Sequence, residues 1–453
     1  MYVVKSYDEK DQVMVVSSSF FRRLDRPSLK RINLQYGIKN TEVTIHHANT
    51  IKNDTVYLST NVMQQLGLPL TSSFDLVIQG DKIVFGPYIG ILCELTNRKL
   101  AEMISTYKSF VKGYPYIGGT IVIFSVEGID EEKQMIDGFL YNSESKSWDQ
   151  KTFPFPGVVM SIAEPSLTSS SDAFHQHMRN FQSLLGKKVF NYPHFSKWEM
   201  HQMLLPEWKA YLPETAIYQN NTDLYDMLAK HGNIYIKPLH GRLGKRIFNV
   251  VKSGTELTVK YEEKRAVFSH MKEMGHFLEQ HLISNAFIIQ ETIPLKKSHQ
   301  SVIDFRVMAS KNYKGQWEVP GIYARYGATG HIVSNITAGG HTELARKTLK
   351  EVWKLSDLEV HRMERAMERM VINVIQSLEK QGYQLGNIGV DLGLDENGHL
   401  TIIEVNHQNP DPYIALMAKD RLAFYQCRFN NMMYARKLSG FQYKGKRFGE
   451  GTY

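Results

Sequence analysis

The sequence predicts an α+β protein. Three observations carry that reading: a start made of short, roughly alternating apolar runs, a switch near residue 96 to helical periodicity followed by a buried strand, and a long C-terminal part in which helices and strands mix before a polar-ended hairpin. Length and composition agree. The chain has 453 residues, 42% hydrophobic and 22% charged, which suits a globular protein of about two to four domains. The expected division is a β-rich domain over 1–95, an α/β domain over 96–190 and a third domain over 191–453.

In the first part, "VTIHHA", "DTVYLS" and "FDLVIQGDKIVFGP" read as strands. "QGDK" (79–82) is a hairpin turn, and "NVMQQLGL" is a short helix. From 96, "NRKLAEMISTYKSFVKG" places Leu100, Met103, Ile104, Tyr107 and Val111 on one helical face, with Gly113 as the stop. "GTIVIFS" and "GVVMSI" are strands, and "QMIDGFLYNSESKSWDQKTFP" between them is a hairpin. The Ser-rich "PSLTSSSD" (165–172) ends this part. Three helices follow: one running to Gly186, one capped by Ser196 and one ending at Gly232. "NIYIKPLHGRLGKRIFNVVKSG" reads as strand, glycine-containing loop, strand. A helix over about 269–282 precedes the strands "AFIIQETI", "DFRVMAS" and "WEVPGIYARYG". The longest helix, about 356–381, has Leu358, Met363, Met367, Met370, Val374 and Leu378 as its apolar face, and leads into "GVDLGLDENGHLTIIEVN".

Several classes are disfavoured. No apolar run approaches the ~18 residues of a membrane span, and "MYVVKSYDEK" lacks the layout of a signal peptide. Cys93 and Cys427 form neither a disulfide framework nor a zinc spacing, so a cytosolic protein is expected. The formal charge of +8 is spread along the chain, with small clusters at "GRLGKR" (241–246) and "YKGKR" (443–447). It suits a holder of polyphosphate or an anionic polymer; nucleic acid has no aromatic-interleaved patch behind it.

The chemistry concentrates in "TIIEVNHQNP" (401–410), where an apolar strand carries Glu404 and then Asn406. A buried acid needs a partner. The Asn-Gly of "DENGH" (395–399) suits a type I′ turn, which folds Asp391 back beside Glu404, with Asn406 on the same face. Two carboxylates and one amide oxygen make a hard-oxygen site suited to Mg²⁺. Lys237 ends an apolar strand, and Gly241 and Gly244 in "HGRLGKR" allow backbone N–H groups to approach phosphate. Gln290 and Glu291 end another strand, Asp304 and Arg306 share a strand face, and Arg325 precedes Ser334, Asn335 and Gly339-Gly340. Arginines at strand ends hold planar oxyanions bidentately.

In this order the motifs resemble the ATP-grasp superfamily, over about 190–435. "SNITAGG", "GVDLGL" and "IIEVNHQNP" are similar to glutathione-synthetase-like and RimK-like ligases. The full-length layout, with "FPFPGVV", "HFSKWEMHQML", "YLPET" and "YIKPLHGRLGK", resembles the YheC/YheD family of endospore coat-associated proteins. The resemblance implies two α+β subdomains clasping ATP, and a carboxylate–amine (or thiol) ligase working through an acyl phosphate. It implies Lys237 and Lys188 at the nucleotide, with Gln290, Glu291 and Ile293 lining the adenine hinge. It implies Mg²⁺ on Asp391, Glu404 and Asn406, and Arg306, Arg325 and Asn335 at the transferred phosphoryl group. It places the protein in the mother-cell cytoplasm beside the spore coat, with coat proteins as partners. The loop "HGRLGKR" is more basic than the loops of many such ligases. A second reading keeps the fold as a non-catalytic, coat-associated binding protein.

Overall fold

The computed structural model describes residues 1–453 except 25–29, 71, 166–169, 242–245, 263, 300, 328–339, 444 and 446–453. Among the described residues, four β structures follow one another along the chain. The first is a closed barrel of β1 (Tyr2–Tyr7), β2 (Val13–Ser17), β3 (Arg31–Tyr36), β4 (Lys39–Ala48), β5 (Thr55–Ser59), β6 (Ser73–Gln79) and β7 (Lys82–Gly86). Alternation builds it: β3 turns Ile32, Leu34 and Tyr36 inward and leaves Arg31 out. The "QGDK" hairpin forms as read, with Gln79 opposite Lys82 and Gly80 at φ 64°.

The second sheet contains β8 (Tyr88–Glu94), β9 (Thr120–Asp130), β10 (Met135–Asn142), β11 (Ser147–Pro154), β12 (Val158–Ser161) and β13 (Val189–Phe190), in the order β11-β10-β9-β8-β12-β13. Its β9, β8, β12 and β13 run parallel. The single helix expected after residue 96 is broken into short pieces at Asn97–Met103, Ile104–Tyr107, Lys108–Val111 and Tyr114–Ile117. Ile104, Ser105 and Thr106 are weak helix formers. The tightened turn there sets the Tyr107 hydroxyl 2.7 Å from Glu94 Oε1.

The third sheet is antiparallel. Its strands β14 (Thr215–Ile217), β15 (Asn233–Pro238), β16 (Phe248–Ser253), β17 (Glu256–Tyr261), β18 (Lys264–Phe268) and β19 (Phe287–Glu291) lie in the order β14-β19-β15-β16-β17-β18. Leu224 and Leu228 of the Asn221–His231 helix, and Met274 and Leu278 of the Met271–Glu279 helix, pack on Ile234, Ile236 and Val250. The fourth sheet has β20 (Lys297–Ser298), β21 (Ser301–Lys311), β22 (Trp317–Tyr326), β23 (His341–Leu344), β24 (Asn387–Leu394) and β25 (Leu400–Asn406), with β23-β22-β21-β24-β25 as its path. The Asp357–Lys380 helix starts at a reciprocal Ser356/Glu359 cap and presses Met367, Val371, Val374 and Leu378 on Phe305, Val307 and Val390.

The β24–β25 turn differs from the expected type I′ form. Asp395 Oδ1 accepts the N–H groups of Asn397 (2.9 Å) and His399 (2.7 Å). Gly398 alone in the turn is left-handed, at φ 83°. An acid at the first turn position offers the loop its own acceptor, so five residues close it instead of two.

The last helix, Arg421–Leu438, is shared between sheets. Phe424 and Cys427 pack with Met308 and Tyr323 of the fourth sheet, and Met432 and Ala435 pack with Ile91 and Met160 of the second. Asn191, just past β13, adds a polar strut: its Nδ2–H donates to Asn387 Oδ1 at 2.6 Å and its Oδ1 accepts from Gly386 N at 2.8 Å. Arg436 ties the same helix to the barrel, pairing with Asp75 and donating to Ile117 O at 2.6 Å and Gln442 O at 3.1 Å. Hydrogen bonds to a charged group are worth about 1.5–3 kcal/mol, and Arg436 makes three such contacts from a largely buried position. Arg436→Ala is therefore expected to lower the urea unfolding midpoint, and an unchanged midpoint would show that barrel docking does not rest on this contact.

Candidate functional site

Strand register assembles the site. Across β21 and β24, Arg306 faces Asp391; across β21 and β22, Asp304 faces Arg325. On β25, Glu404 stands opposite Asp391 and Asn406 opposite Gly389, with the register shifting at Leu392. Directly opposed residues share a face. One face of the fourth sheet therefore carries Asp304, Arg306, Arg325, Asp391, Glu404 and Asn406, while Phe305, Val390, Leu392 and Ile402 fill the core behind it.

These groups are bonded to one another. Arg306 forks onto Asp391, its Nη2–H reaching Oδ2 at 2.9 Å. Arg325 forks onto Asp304 at 2.7 and 2.6 Å, and its Nη2 also lies 2.9 Å from Asp391 Oδ2. Asn406 donates Nδ2–H to Asp391 at 3.3 Å. Asp304 and Asp391 are only 2% and 3% exposed, so the desolvation of both carboxylates must be offset locally. Burial works against the Asp391 charge, but Arg306 and Arg325 outweigh it and hold the carboxyl below its ordinary range. Burial likewise opposes the Arg325 charge, and Asp304 and Asp391 raise it nonetheless.

Two lysines complete the face. Lys197, in the first turn of the Lys197–Trp208 helix, puts Nζ 3.0 Å from Glu404 Oε1 and 3.1 Å from the Gly241 carbonyl. It thus bridges the fourth sheet and the loop after β15. Lys237, near the end of β15, donates to Gln290 Oε1 at 2.6 Å, and Gln290 donates on to Thr215 Oγ1 at 3.0 Å. Burial pushes the Lys237 amine down to about 8, against a smaller upward pull from Glu404. Glu291 accepts the Glu214 N–H at 2.8 Å and pairs with His231 at 3.1 Å. Ile293 lies close over the fourth sheet: a Cβ on Gly393 would stand 2.7 Å from Leu295 Cδ2 and 3.2 Å from Ile293 Cγ2.

Of the sequence-derived candidates, Lys237, Gln290, Arg306, Arg325, Asp391, Glu404 and Asn406 converge here, with Gly241 and Ile293 at the edges. Gly244 and Asn335 lie outside the described residues. Lys188 sits exposed in the single turn before β13, on the second sheet and outside this constellation. Lys197 was not among the candidates. Its one sequence signal was slight: a lysine in the first turn beside the Ser196 cap opposes the helix dipole by about 0.3–1 kcal/mol, and Glu199 in the same turn offsets it. His407 was also missed. Its Nε2 accepts the Phe195 N–H at 3.0 Å and its ring stacks on Phe195 at 3.6 Å, fixing the segment that carries Lys197.

The donor set fits a hard divalent cation. Asp391, Glu404 and Asn406 offer two carboxylates and an amide on adjacent antiparallel strands. Lys197, Lys237, Arg306 and Arg325 around them suit phosphate oxygens.

The family model for YheC/D-like ATP-grasp domains matches residues 186–438, more than half of the chain. The chain belongs to the YheC/D-like ATP-grasp family. Its fold is accordingly the ATP-grasp fold, with the third and fourth sheets as the two α+β halves. Endospore coat-associated protein YheD of Bacillus subtilis is 27% identical over 397 residues, covering 84% of this chain and 85% of the relative. Endospore coat-associated protein YheC of the same organism is 18% identical over 343 residues, covering 71% and 90%. Among solved structures, the ATP-grasp ligase PsnB complexed with minimal precursor aligns at TM-score 0.42 and 13% identity over 77% of this chain and all of that one. D-alanyl-alanine synthetase A from Vibrio cholerae aligns at 0.42 and 12%, covering 76% and 98%. No helix among the described residues of this ATP-grasp protein is long and apolar enough to cross a membrane.

The Lys237 shift has a measurable sign. With a folded value near 8 against an ordinary 10.5, the folded chain holds fewer protons than the unfolded chain between those values. This lysine therefore favours folding increasingly as pH rises through that window. Carbon-13 lysine NMR, assigned with Lys237→Arg, should show one resonance titrating near pH 8; titration at the ordinary value would refute the buried environment.

Proposed function

We propose that the protein is an ATP- and Mg²⁺-dependent carboxylate–amine (or thiol) ligase. The observation that carries this reading is the single sheet face bearing Arg306, Arg325, Asp391, Glu404 and Asn406, met by Lys237 from the other half of the clasp and bridged by Lys197. Lys237 and Lys197 hold phosphate oxygens, and the backbone near Gly241 covers them. Gln290, Glu291 and Ile293 form the hinge that takes the base and ribose. Asp391, Glu404 and Asn406 hold Mg²⁺, which supplies charge neutralisation at the phosphates. Arg306 and Arg325 stabilise charge on the transferring phosphoryl group.

No general base is needed in the first step. The carboxylate substrate is already ionised at neutral pH; its oxygen bonds to the γ-phosphorus as the bond to the β-phosphate oxygen breaks and ADP leaves. An amine or thiol then attacks the acyl carbon and loses a proton, and phosphate departs with the bonding pair. These residues contribute by positioning and electrostatics. Carried over from the relatives' names, the setting is the endospore coat; the family resemblance adds work from the mother-cell cytoplasm. Those names state an association and no reaction, which favours a second reading: a nucleotide-binding coat-associated protein without turnover.

Calorimetric titration of Mg-ATP and Mg-ADP tests the site. Micromolar binding is expected in the wild type and its loss in Lys237→Ala; no binding at millimolar nucleotide would end the ligase reading. Arg325→Lys, which keeps a cation beside Asp304 but loses the guanidinium fork, should keep ATP binding and lower ADP release in the presence of candidate amino acids or peptides by about a hundredfold or more. Equal activity in that variant would remove Arg325 from the mechanism.

A further inference from the structure

We propose that Arg306 and Arg325 form a phosphate-operated guard over the metal ligands, holding Asp391 away from a bare divalent cation until a polyphosphate draws Arg306 off. This rests on the ligase reading and adds to it a rule for the order in which metal and nucleotide enter.

Each side chain expected to bind metal is already engaged. Both Asp391 oxygens take N–H groups from Arg306, and Oδ2 also meets Arg325. Glu404 pairs with Lys197. Asn406 turns its amide nitrogen, not its oxygen, toward Asp391. Among the described residues, four cationic side chains (Lys197, Lys237, Arg306 and Arg325) surround three carboxylates (Asp304, Asp391 and Glu404). A bare dication entering this face adds to a surplus of positive charge where solvent screens it poorly. A di- or triphosphate reverses the balance and offers the guanidinium groups a planar fork of their own.

The two arginines are not equivalent. Arg325 has its own anchor: Nε and Nη2 are forked on Asp304, and only Nη2 reaches over to Asp391. When Asp391 turns to a metal, Arg325 keeps its place. Arg306 spends Nε and Nη2 on Asp391 and pairs with no other carboxylate among the described residues. Arg306 is the part that moves, and Asp304 is the positioning residue that keeps its neighbour still.

The full-length protein tests this with Mn²⁺ as the probe, free ion being followed by electron paramagnetic resonance. Wild type should bind Mn²⁺ about tenfold or more tightly with ADP than without, after the Mn²⁺–ADP complex in solution is subtracted. AMP, which lacks a β-phosphate, should leave the affinity near its nucleotide-free value. Arg306→Gln should bind Mn²⁺ without nucleotide about tenfold more tightly than wild type, and Asp391→Asn in that background should erase the gain. Wild-type Mn²⁺ binding that is equally tight without nucleotide would overturn the guard while leaving the ligase reading intact. A folded Arg306→Gln protein with no gain would overturn it too. ADP binding is measured in parallel by calorimetry in EDTA and in Mg²⁺; its absence in both would overturn the ligase reading, and the guard with it.

Discussion

The charge ladder Asp304–Arg325–Asp391–Arg306 is the constraint on which the C-terminal half depends. Four charged side chains lie on a largely buried sheet face, and each is tolerable only because its neighbour across the strand has the opposite sign. That condition specifies register. A one-residue slip of β21 against β22 or β24 would turn Asp304 and Arg306 into the core and bring Phe305 and Val307 out. The same pairings that hold the strands in place thus bring the arginines beside the metal-type ligands. Strand register and the charge pattern of this face share one set of contacts.

A second constraint keeps the clasp and the rest of the chain together. The Arg421–Leu438 helix is a common wall for the second and fourth sheets, and Asn191 ties the end of β13 to the start of β24 by short hydrogen bonds. The carboxyl ends of the parallel strands in the second sheet therefore sit in a fixed relation to β25. His407 and the Lys197 segment close the gap between them from the other side.

Much of this was legible in local pattern. The pairing of Asp391 with Glu404 followed from a hairpin signal, and the face shared by Glu404 and Asn406 followed from the two-residue period of a strand. The turn itself was misread, because Asp395 competes for the loop's N–H groups and outweighs the Asn-Gly preference. The helix after residue 96 carried the right apolar face, but its Ile-Ser-Thr stretch breaks it. What pattern could not supply was contact between distant segments. Arg306 and Arg325 were identifiable as oxyanion binders, yet their present partners are carboxylates 85 and 21 residues away. Lys197 meets its anion across more than two hundred residues of chain, and only its awkward place beside a helix cap hints at the need. Gly244, read from the glycines of its loop, and Asn335, assigned by resemblance, fall outside the described residues.

The contact between Arg436 and Asp75 has a consequence for orientation. The N-terminal barrel is joined to the ATP-grasp half by a buried, multiply bonded arginine as well as by the chain. It cannot swivel on a tether. Any surface that holds the barrel also sets which way the charged face of the fourth sheet points, so the barrel serves as a rigid handle and the direction of that face is part of how the molecule is mounted.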